Sequence, residues 1–211
     1  MQELKTKIDK RKVRGEESRR QILQAAITSV AALGLSNMTL DRVAERAGIS
    51  RGLVVFHFKS KSKLLEEVLS FLSAQYSDGW IAAYRQEGST NIEKLLQLVD
   101  FDIQFAYDNP QYISAWHAFW GEDKGNQLYH SFSLPCDESY GSQLEQLIEK
   151  LIKEGQYDPS ELEGINLSLG AMLFGIFTES HLDYDPDDCE RYKKAVRLLI
   201  SKFFPKHIIN G

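Results

Sequence analysis

Residues 50–65, SRGLVVFHFKSKSKLL, place cationic side chains close together in a stretch that contains no Asp or Glu. The positively charged or protonatable residues in this stretch are Arg51, His57, Lys59, Lys61 and Lys63. Guanidinium and ammonium groups bind phosphate oxygens, and an arginine fork also matches the N7 and O6 acceptors of guanine. Because a carboxylate here would repel phosphate, the composition predicts a surface that binds a polyanion.

The remainder of the chain has the opposite charge. The 211 residues carry a formal net charge of −5. Residues 1–63 contain 14 Lys and Arg against 6 Asp and Glu, whereas residues 64–211 contain 11 against 24. This asymmetry predicts a basic, polyanion-binding head on an acidic body. A basic tail on an unrelated domain is the alternative.

Two short helices must position the basic stretch. Thr39 can cap the first helix, Gly48 allows a tight turn after it, and Ser50 can cap a second helix over about residues 50–57. The apolar residues of the first helix recur at helical spacing: Leu40, Val43, Ala44 and Ala47. These are the dimensions of a helix-turn-helix motif, whose second helix enters the major groove of double-stranded DNA.

The second helix has two chemically different faces. Val54 and Phe58 fall four residues apart, and we expect them to face the core of the head. The predicted groove-facing residues are Arg51, Gly52, Leu53 and Val55. Gly52 permits a close approach of the backbone to DNA, and an apolar Leu53 or Val55 can contact a thymine methyl group.

Ser60 is expected to cap a long helix whose first turn contains Lys61 and Lys63. Cations there oppose the helix dipole by about 0.3–1 kcal/mol each unless an anion also binds, and a helix N-terminus is itself an anion site. We therefore interpret Lys61 and Lys63 as parts of a phosphate clamp and expect His57 to donate to a phosphate. Lys59 is counted with the DNA-binding residues. For the lysines the alternative is a solvated charged face, and for His57 it is an ordinary surface histidine.

The stretch MTLDRVAERAGISRGLVVFHFKSKSKLL, residues 38–65, resembles the DNA-binding head of the TetR family of bacterial regulators. The resemblance covers residues 17 to about 65. It implies that Thr39 contacts a phosphate, that Ser50 and the groove-facing residues lie at the DNA, and that His57 and Lys61 lie on its backbone. Where the family commonly has a phosphate-binding tyrosine, this chain has Val55, so that contact is not implied here.

Helical periodicity predicts an all-α fold of about nine helices, with a less regular pattern over residues 121–140. The resemblance implies three parts: a flexible basic arm (residues 1–16), a three-helix DNA-binding domain (17–62) and a ligand-binding and dimerisation domain (63–211). The arm can reach the minor groove, or it is a solubilising tail. No apolar run is long enough to cross a bilayer, and two unclustered cysteines favour a cytoplasmic location.

Aromatic residues recur on one predicted helix of the body. Trp116, Phe119 and Trp120 follow i, i+3, i+4 spacing, with Tyr112 one turn earlier. Such faces bind quaternary ammonium groups at about 0.5–2 kcal/mol per ring, although ordinary core packing is the alternative for each residue. The runs GISRGLVVFHF and AWHAFW are similar to the BetI branch of the TetR family, whose members repress choline-to-betaine genes and respond to choline. This similarity implies a choline-like effector.

The last two predicted helices carry stripes suited to helix packing. The first has the small residues Gly164, Ser168, Ala171 and Gly175, and the second has the apolar residues Tyr192, Ala195, Val196, Leu199, Ile200 and Phe203. We interpret them as a four-helix interface between two copies of the chain, with packing inside one chain as the alternative. A homodimer would also match the two half-sites of a palindromic operator.

Other classes of chemistry find no support in the sequence. No Gly-rich phosphate loop and no plausible pair of a nucleophile and a base is visible, so we do not expect an enzyme. The spacings of His117, His130, Cys136 and His181 match no zinc pattern, and we expect no metal or other cofactor. We predict a ligand-responsive repressor; an activator or an architectural DNA-binding protein without an effector is the alternative.

Overall fold

A computed structural model describes residues 2–207, with side chains from residue 13 onward. Ten α-helices and one short 3-10 helix form the regular structure of these residues, and no strand occurs among them. The all-α prediction is confirmed. The helix that the periodicity missed lies within residues 121–140, where the apolar spacing is irregular.

The ten helices follow one another with short connections. They are α1 (Gln2–Asn37), α2 (Leu40–Ala47), α3 (Arg51–Phe58), α4 (Lys61–Tyr84), α5 (Asn91–Asp108), α6 (Pro110–Trp120), α7 (Asp123–Phe132), α8 (Leu134–Gly155), α9 (Leu162–Leu182) and α10 (Asp188–Phe203). The 3-10 helix Pro159–Glu161 precedes α9. Gly34, with φ of 75°, interrupts the helical geometry near the end of α1.

The predicted flexible arm over residues 1–16 is helical from Gln2 in this structure. Its side chains up to residue 12 lie outside the described residues, so the charged groups of KTKIDKRKVR are placed only from Val13 onward. The flexibility of the arm and its contact with the minor groove stay predictions.

The chain divides into two compact units. One comprises Met1–Phe71 and Ser114–Phe132, and the other comprises Leu72–Ile113 and Ser133–Gly211. The first unit, here called the head unit, therefore contains more than the predicted DNA-binding domain of residues 17–62. It also includes the start of α4, the second half of α6 and all of α7.

The core of the head unit forms on the apolar stripe of α1, where Ile22, Ile27 and Val30 are fully buried. Val43 of α2 and Val54 of α3 are buried as well. Helix α7 packs tightly in the same unit: a Cβ atom added to Gly125 would lie 2.4 Å from both the Leu35 Cδ1 atom and the Phe119 backbone oxygen. Only a residue without a side chain fits at this point.

The second unit, here called the body unit, has a helical core of its own. Its fully buried leucine, isoleucine and valine residues on α5, α8, α9 and α10 include Leu95, Leu98, Leu147, Leu151, Leu169, Val196 and Ile200. A capping box fixes the start of α5, since Thr90 and Glu93 exchange side-chain to backbone hydrogen bonds.

The packing at Gly125 predicts that its replacement by alanine destabilises the protein. At an ordinary helical position the same replacement stabilises it. Gly125→Ala should lower the free energy of unfolding by about 1–3 kcal/mol, because the added methyl group meets backbone as well as a side chain. Gly141→Ala in α8 is the matched control, since nothing lies within 4 Å of its added Cβ. The control should raise stability by about 0.5–1 kcal/mol. Urea titration of both variants measures the difference, and equal effects would contradict the packing described.

Candidate DNA interface and effector site

The turn between α2 and α3 is built from local backbone chemistry. Thr39 caps α2, its Oγ1 accepting a hydrogen bond from the Arg42 N–H at 3.3 Å. Gly48 ends α2 in the left-handed region, with φ of 65° and ψ of 31°. Ser50 then caps α3, with its Oγ accepting from the Leu53 N–H at 3.2 Å. The sequence predicted all three positions, because caps and left-handed turns depend on adjacent residues.

The two faces of α3 are arranged as predicted. Val54 and Phe58 are buried, whereas Arg51, Gly52 and Val55 are exposed. Leu53 is half-buried, so it contributes less to the outer face. The sequence reasoning did not select Phe56, which is 67% exposed on this helix. A large aromatic side chain at the surface of a recognition helix is an additional candidate for contact with DNA.

Acidic residues from neighbouring helical turns lie beside the acid-free stretch. The Arg51 Nε is 3.5 Å from the Asp41 carboxylate, and the Lys63 Nζ is 2.5 Å from the Glu66 carboxylate. The pair of Arg51 and Asp41 is exposed on both sides, at 64% and 67%, so it contributes at most about 1 kcal/mol and a phosphate can replace its carboxylate. The stretch thus contains no acidic residue, but two of its cations pair with carboxylates that lie outside it.

His57 is half-buried and uncharged near neutral pH. Burial lowers the pKa of His57, and the positive charges of Arg19 and Lys59 lower it further. A neutral imidazole retains one N–H donor. It can therefore donate to a phosphate without adding a charge to the surface.

Two of the lysines predicted to contact DNA have intramolecular partners. Lys59 donates from Nζ to the Phe56 carbonyl at 2.9 Å and lies 5.4 Å from the centroid of the Phe56 ring. Lys61 donates from Nζ to the Ser36 carbonyl at 3.2 Å. As predicted, Ser60 caps α4, its Oγ accepting from the Lys63 N–H at 3.2 Å. The contacts of both lysines with DNA stay predictions.

Ser36 connects Lys61 to the turn between α6 and α7. The Glu122 carboxylate accepts from the Ser36 Oγ at 2.5 Å and from the Ser36 N–H at 3.1 Å. The hydrogen bonds of Ser36 and the charge of Lys61 lower the pKa of Glu122. The carboxylate is therefore ionised at neutral pH and holds the end of α1.

The four aromatic residues predicted for the effector all lie on α6, but they do not all belong to one unit. Trp116, Phe119 and Trp120 fall in the head unit and Tyr112 falls in the body unit. Phe119 is fully buried and Trp116 is buried, whereas Trp120 and Tyr112 are half-buried. Trp120 contacts His117 and Tyr129 edge to face. Their role in ligand binding stays a prediction.

A polar group that the sequence reasoning missed lies inside the body unit. Asp102 of α5 is 8% exposed, and its Oδ1 accepts a hydrogen bond from the Tyr76 hydroxyl at 2.6 Å. Aromatic rings from α4, α5 and α8 surround this pair. We call this group the Asp102 cluster; its members are Tyr76, Trp80, Phe101, Asp102, Phe105 and Tyr140.

The Asp102 carboxyl group titrates far from its ordinary range. Burial raises the pKa of Asp102 from 3.8 to about 6, the hydrogen bond from Tyr76 lowers it in part, and the charge of Asp137 raises it. Burial likewise raises the pKa of Tyr76 and of Tyr140, so both phenols stay protonated. At neutral pH the cluster therefore contains one buried negative charge.

Two features that the described residues lack bear on the chemistry of this protein. None of their helices is both long and apolar enough to span a bilayer. Within the same part of the chain, no three His, Cys, Asp or Glu side chains are grouped so as to hold a metal ion. The cysteines Cys136 and Cys189 are both free thiols.

Residues 22–68 match the family model of bacterial regulatory proteins, tetR family. The matched residues contain α2, the turn and α3, and extend into α4. The match covers the predicted DNA-binding head, and it confirms the resemblance to the TetR family that residues 38–65 carry. The matched family is one of regulatory proteins, not of enzymes.

Relatives and solved structures extend the likeness of this protein beyond the head. The HTH-type transcriptional regulator BetI of Escherichia coli (strain K12) is 24% identical over 191 residues, which cover 89% of this chain and 94% of BetI. A TetR transcription regulator from Haloarcula marismortui ATCC 43049 has a TM-score of 0.73 at 20% identity, covering 92% of this chain and 100% of that protein. A protein from Saccharomonospora viridis in complex with choline has a TM-score of 0.72 at 20% identity, covering 88% and 96%.

The buried charge of Asp102 predicts how the stability of this protein depends on pH. The carboxyl group binds its proton more tightly in the folded chain, so stability falls as pH rises from about 4 to about 6 and stays low above that. Asp102→Asn keeps an acceptor for Tyr76 without the charge. It should raise the free energy of unfolding by about 2–3 kcal/mol at pH 7.5 and have little effect at pH 4.

Thermal and urea unfolding of both proteins at several pH values measures this difference. The exposed Asp108 lies on the same helix, so Asp108→Asn is the matched control and should change stability little at either pH. A wild-type protein that is more stable than Asp102→Asn at pH 7.5 would contradict a buried, uncompensated charge.

Proposed function

We propose that this protein is a cytoplasmic repressor of the TetR family, which binds a palindromic operator as a homodimer and is released by a small-molecule effector. The observation that carries the proposal is the orientation of α3. Val54 and Phe58 hold its inner face, which leaves Arg51, Gly52 and Val55 at the surface. A helix presented in this way after a helix-turn-helix turn can enter a major groove.

The residues around α3 fit two kinds of contact with DNA. Arg51 is the candidate for base recognition, because its guanidinium is exposed and is held only by an exposed ion pair with Asp41. Thr39, Ser50, His57, Lys59 and Lys61 are the candidates for phosphate contacts, which position the helix without reading sequence.

The exposed face of α9 supports the homodimer. Its four predicted small residues, Gly164, Ser168, Ala171 and Gly175, are all exposed. Leu167 lies among them and is 64% exposed. Small residues next to a projecting leucine let a second helix approach closely, and an exposed apolar face of this kind is typical of an interface.

The stripe on α10 has a mixed role. Val196 and Ile200 are fully buried inside the body unit, which is the packing within one chain that we kept as the alternative. Ala195 and Leu198 point outward, with Leu198 61% exposed. We therefore propose that α9 contributes most of the interface and that α10 adds its outward residues.

The head unit contains a path from α6 to the DNA contacts. Phe119 of α6 packs at Gly125 beside Leu35, and the neighbouring Ser36 bonds to both Glu122 and Lys61. A displacement of α6 on effector binding would therefore reach Lys61 through packed atoms and hydrogen bonds. Coupling of this kind typically changes operator affinity by about 1–3 kcal/mol.

A choline-like cation is the effector that we propose. The relative BetI and the choline complex of the Saccharomonospora viridis protein support this chemistry. The excess of acidic residues over residues 64–211 also favours a cation.

Two substitutions separate base recognition from phosphate binding. Arg51→Ala should weaken binding to the operator by about 1–3 kcal/mol and relax sequence preference, because it removes a base contact. Lys61→Ala should weaken binding to every duplex alike and lower the salt slope by about 1, because it removes one phosphate contact. Fluorescence anisotropy on a labelled duplex from upstream of the gene, compared with unrelated DNA, measures both effects.

Lys153→Ala provides a control for loss of a cation, since Lys153 is an exposed residue of α8 in the body unit. Undiminished binding by both head variants would exclude α3 as the DNA-reading element. Salt-sensitive binding that ignores sequence would favour an architectural protein instead.

The dimer proposal predicts that a charge on the exposed face of α9 produces monomers. Leu167→Glu places a carboxylate where apolar surface is to be buried, so sedimentation should show a lower mass at micromolar concentration. The control Val13→Glu changes a residue of α1 that is also exposed, and it should leave the mass unchanged. A Leu167→Glu protein that remains dimeric would remove this face of α9 from the interface.

A further inference from the structure

Asp102 is a buried anion for which the protein supplies no cation. In the part of the chain that the structure describes, no Lys, Arg or His side chain forms an ion pair with its carboxylate. Its one hydrogen-bond donor is the Tyr76 hydroxyl at 2.6 Å. Buried charges in proteins are ordinarily paired or bound to an ion, so an unpaired one requires an explanation.

The side chains around Asp102 are aromatic on several sides. The Tyr76 ring centroid lies 5.3 Å from that of Phe105, 5.7 Å from that of Phe101 and 5.8 Å from that of Tyr140. Trp80 contacts Tyr140 edge to face at 6.0 Å. These distances are those of rings in contact with one another, so a cationic group would enter by separating them and would then face several rings at the range of cation–π attraction.

A second polar group of the cluster lacks a partner. The Tyr140 hydroxyl is buried and has no hydrogen-bond partner among the described residues. A buried hydroxyl without a partner is unfavourable, because it has lost its hydrogen bonds to water. It lies in the same cluster as the uncompensated carboxylate, so both can be satisfied by one ligand that carries a cation and a polar group.

We propose that the Asp102 cluster binds a small organic cation with a quaternary ammonium group, which pairs with the Asp102 carboxylate among the aromatic rings. The Tyr140 hydroxyl bonds to a polar substituent of the same ligand. This inference deepens the proposed function and rests on it in one respect: it names the place and the chemical class of the effector. The cation is thus assigned to the body unit and not to Trp116, Phe119 and Trp120 of the head unit. Tyr112, the fourth aromatic residue predicted for the effector, belongs to the body unit and packs next to Phe105.

Other ligand classes fit the cluster less well. An anion would meet the Asp102 charge, and a neutral molecule would leave that charge uncompensated. A metal ion needs several ligand side chains, and the described residues group no three that could hold one. A weakly hydrated organic cation needs one counter-charge and aromatic faces, which the cluster provides.

The position of the cluster suits an effector site. Tyr76 and Trp80 lie on α4, the helix that begins at Lys61. Phe101 rests on the same helix, because a Cβ added to Gly79 would lie 2.3 Å from its ring. The rings are closely packed, so a ligand that separates them would act on α4. This is the helix whose first residue is Lys61.

Calorimetric titration of the full chain with choline, tetramethylammonium and the uncharged choline isostere 3,3-dimethylbutan-1-ol tests the proposal. Wild-type protein should bind choline about tenfold or more tightly than the isostere, because the isostere has the same shape without the charge. Asp102→Asn should weaken choline and tetramethylammonium about tenfold or more, and Asp108→Asn should weaken neither. Tyr140→Phe should weaken choline, which has a hydroxyl, and leave tetramethylammonium unchanged.

Equal affinity of the wild-type and Asp102→Asn proteins for choline, or no binding of either cation to the wild type at millimolar concentration, would overturn the proposal. Operator anisotropy in parallel keeps the two proposals distinct. Choline that binds through Asp102 without releasing the operator would support the site and contradict the proposed effector response. Choline that releases the operator equally from both proteins would support the response and overturn the site.

Discussion

The burial of Val54 and Phe58 decides which side of α3 faces outward, and the DNA-binding proposal depends on it. A helix of eight residues has little stability of its own, so its direction is set by what its inner side contacts. Phe58 is held on two sides, by the core of the head unit and by the Arg19 guanidinium 5.2 Å from its ring centroid. The exposed position of Arg51 is a consequence of this packing.

Local features of this chain could be read from its sequence. The caps at Thr39, Ser50 and Ser60 and the left-handed Gly48 depend on residues within four positions of each other, and all four are found where they were predicted. Apolar periodicity also predicted the buried residues of α2 and α3. Periodicity failed at α7, whose first turns contain Gly125 and few apolar residues.

Features that depend on distant residues could not be read in the same way. The contact of Ser36 with Glu122 joins residues 86 positions apart, and that of Tyr76 with Asp102 joins residues 26 positions apart. A single aspartate in an amphipathic helix looks like a surface residue until the neighbouring helices are placed. For the same reason, no pattern in α10 could show that Val196 and Ile200 belong to the core of their own chain while Leu198 does not.

The absence of free space at Gly125 has a mechanical meaning. Close-packed atoms resist compression, so the end of α6 cannot slide toward α1 without moving what it touches. Leu35 is that neighbour, and it follows directly on Gly34, where the helical geometry of α1 is interrupted. The close contact at Gly125 thus falls on the short end of α1 that follows the interruption at Gly34, and not on the long helix before it.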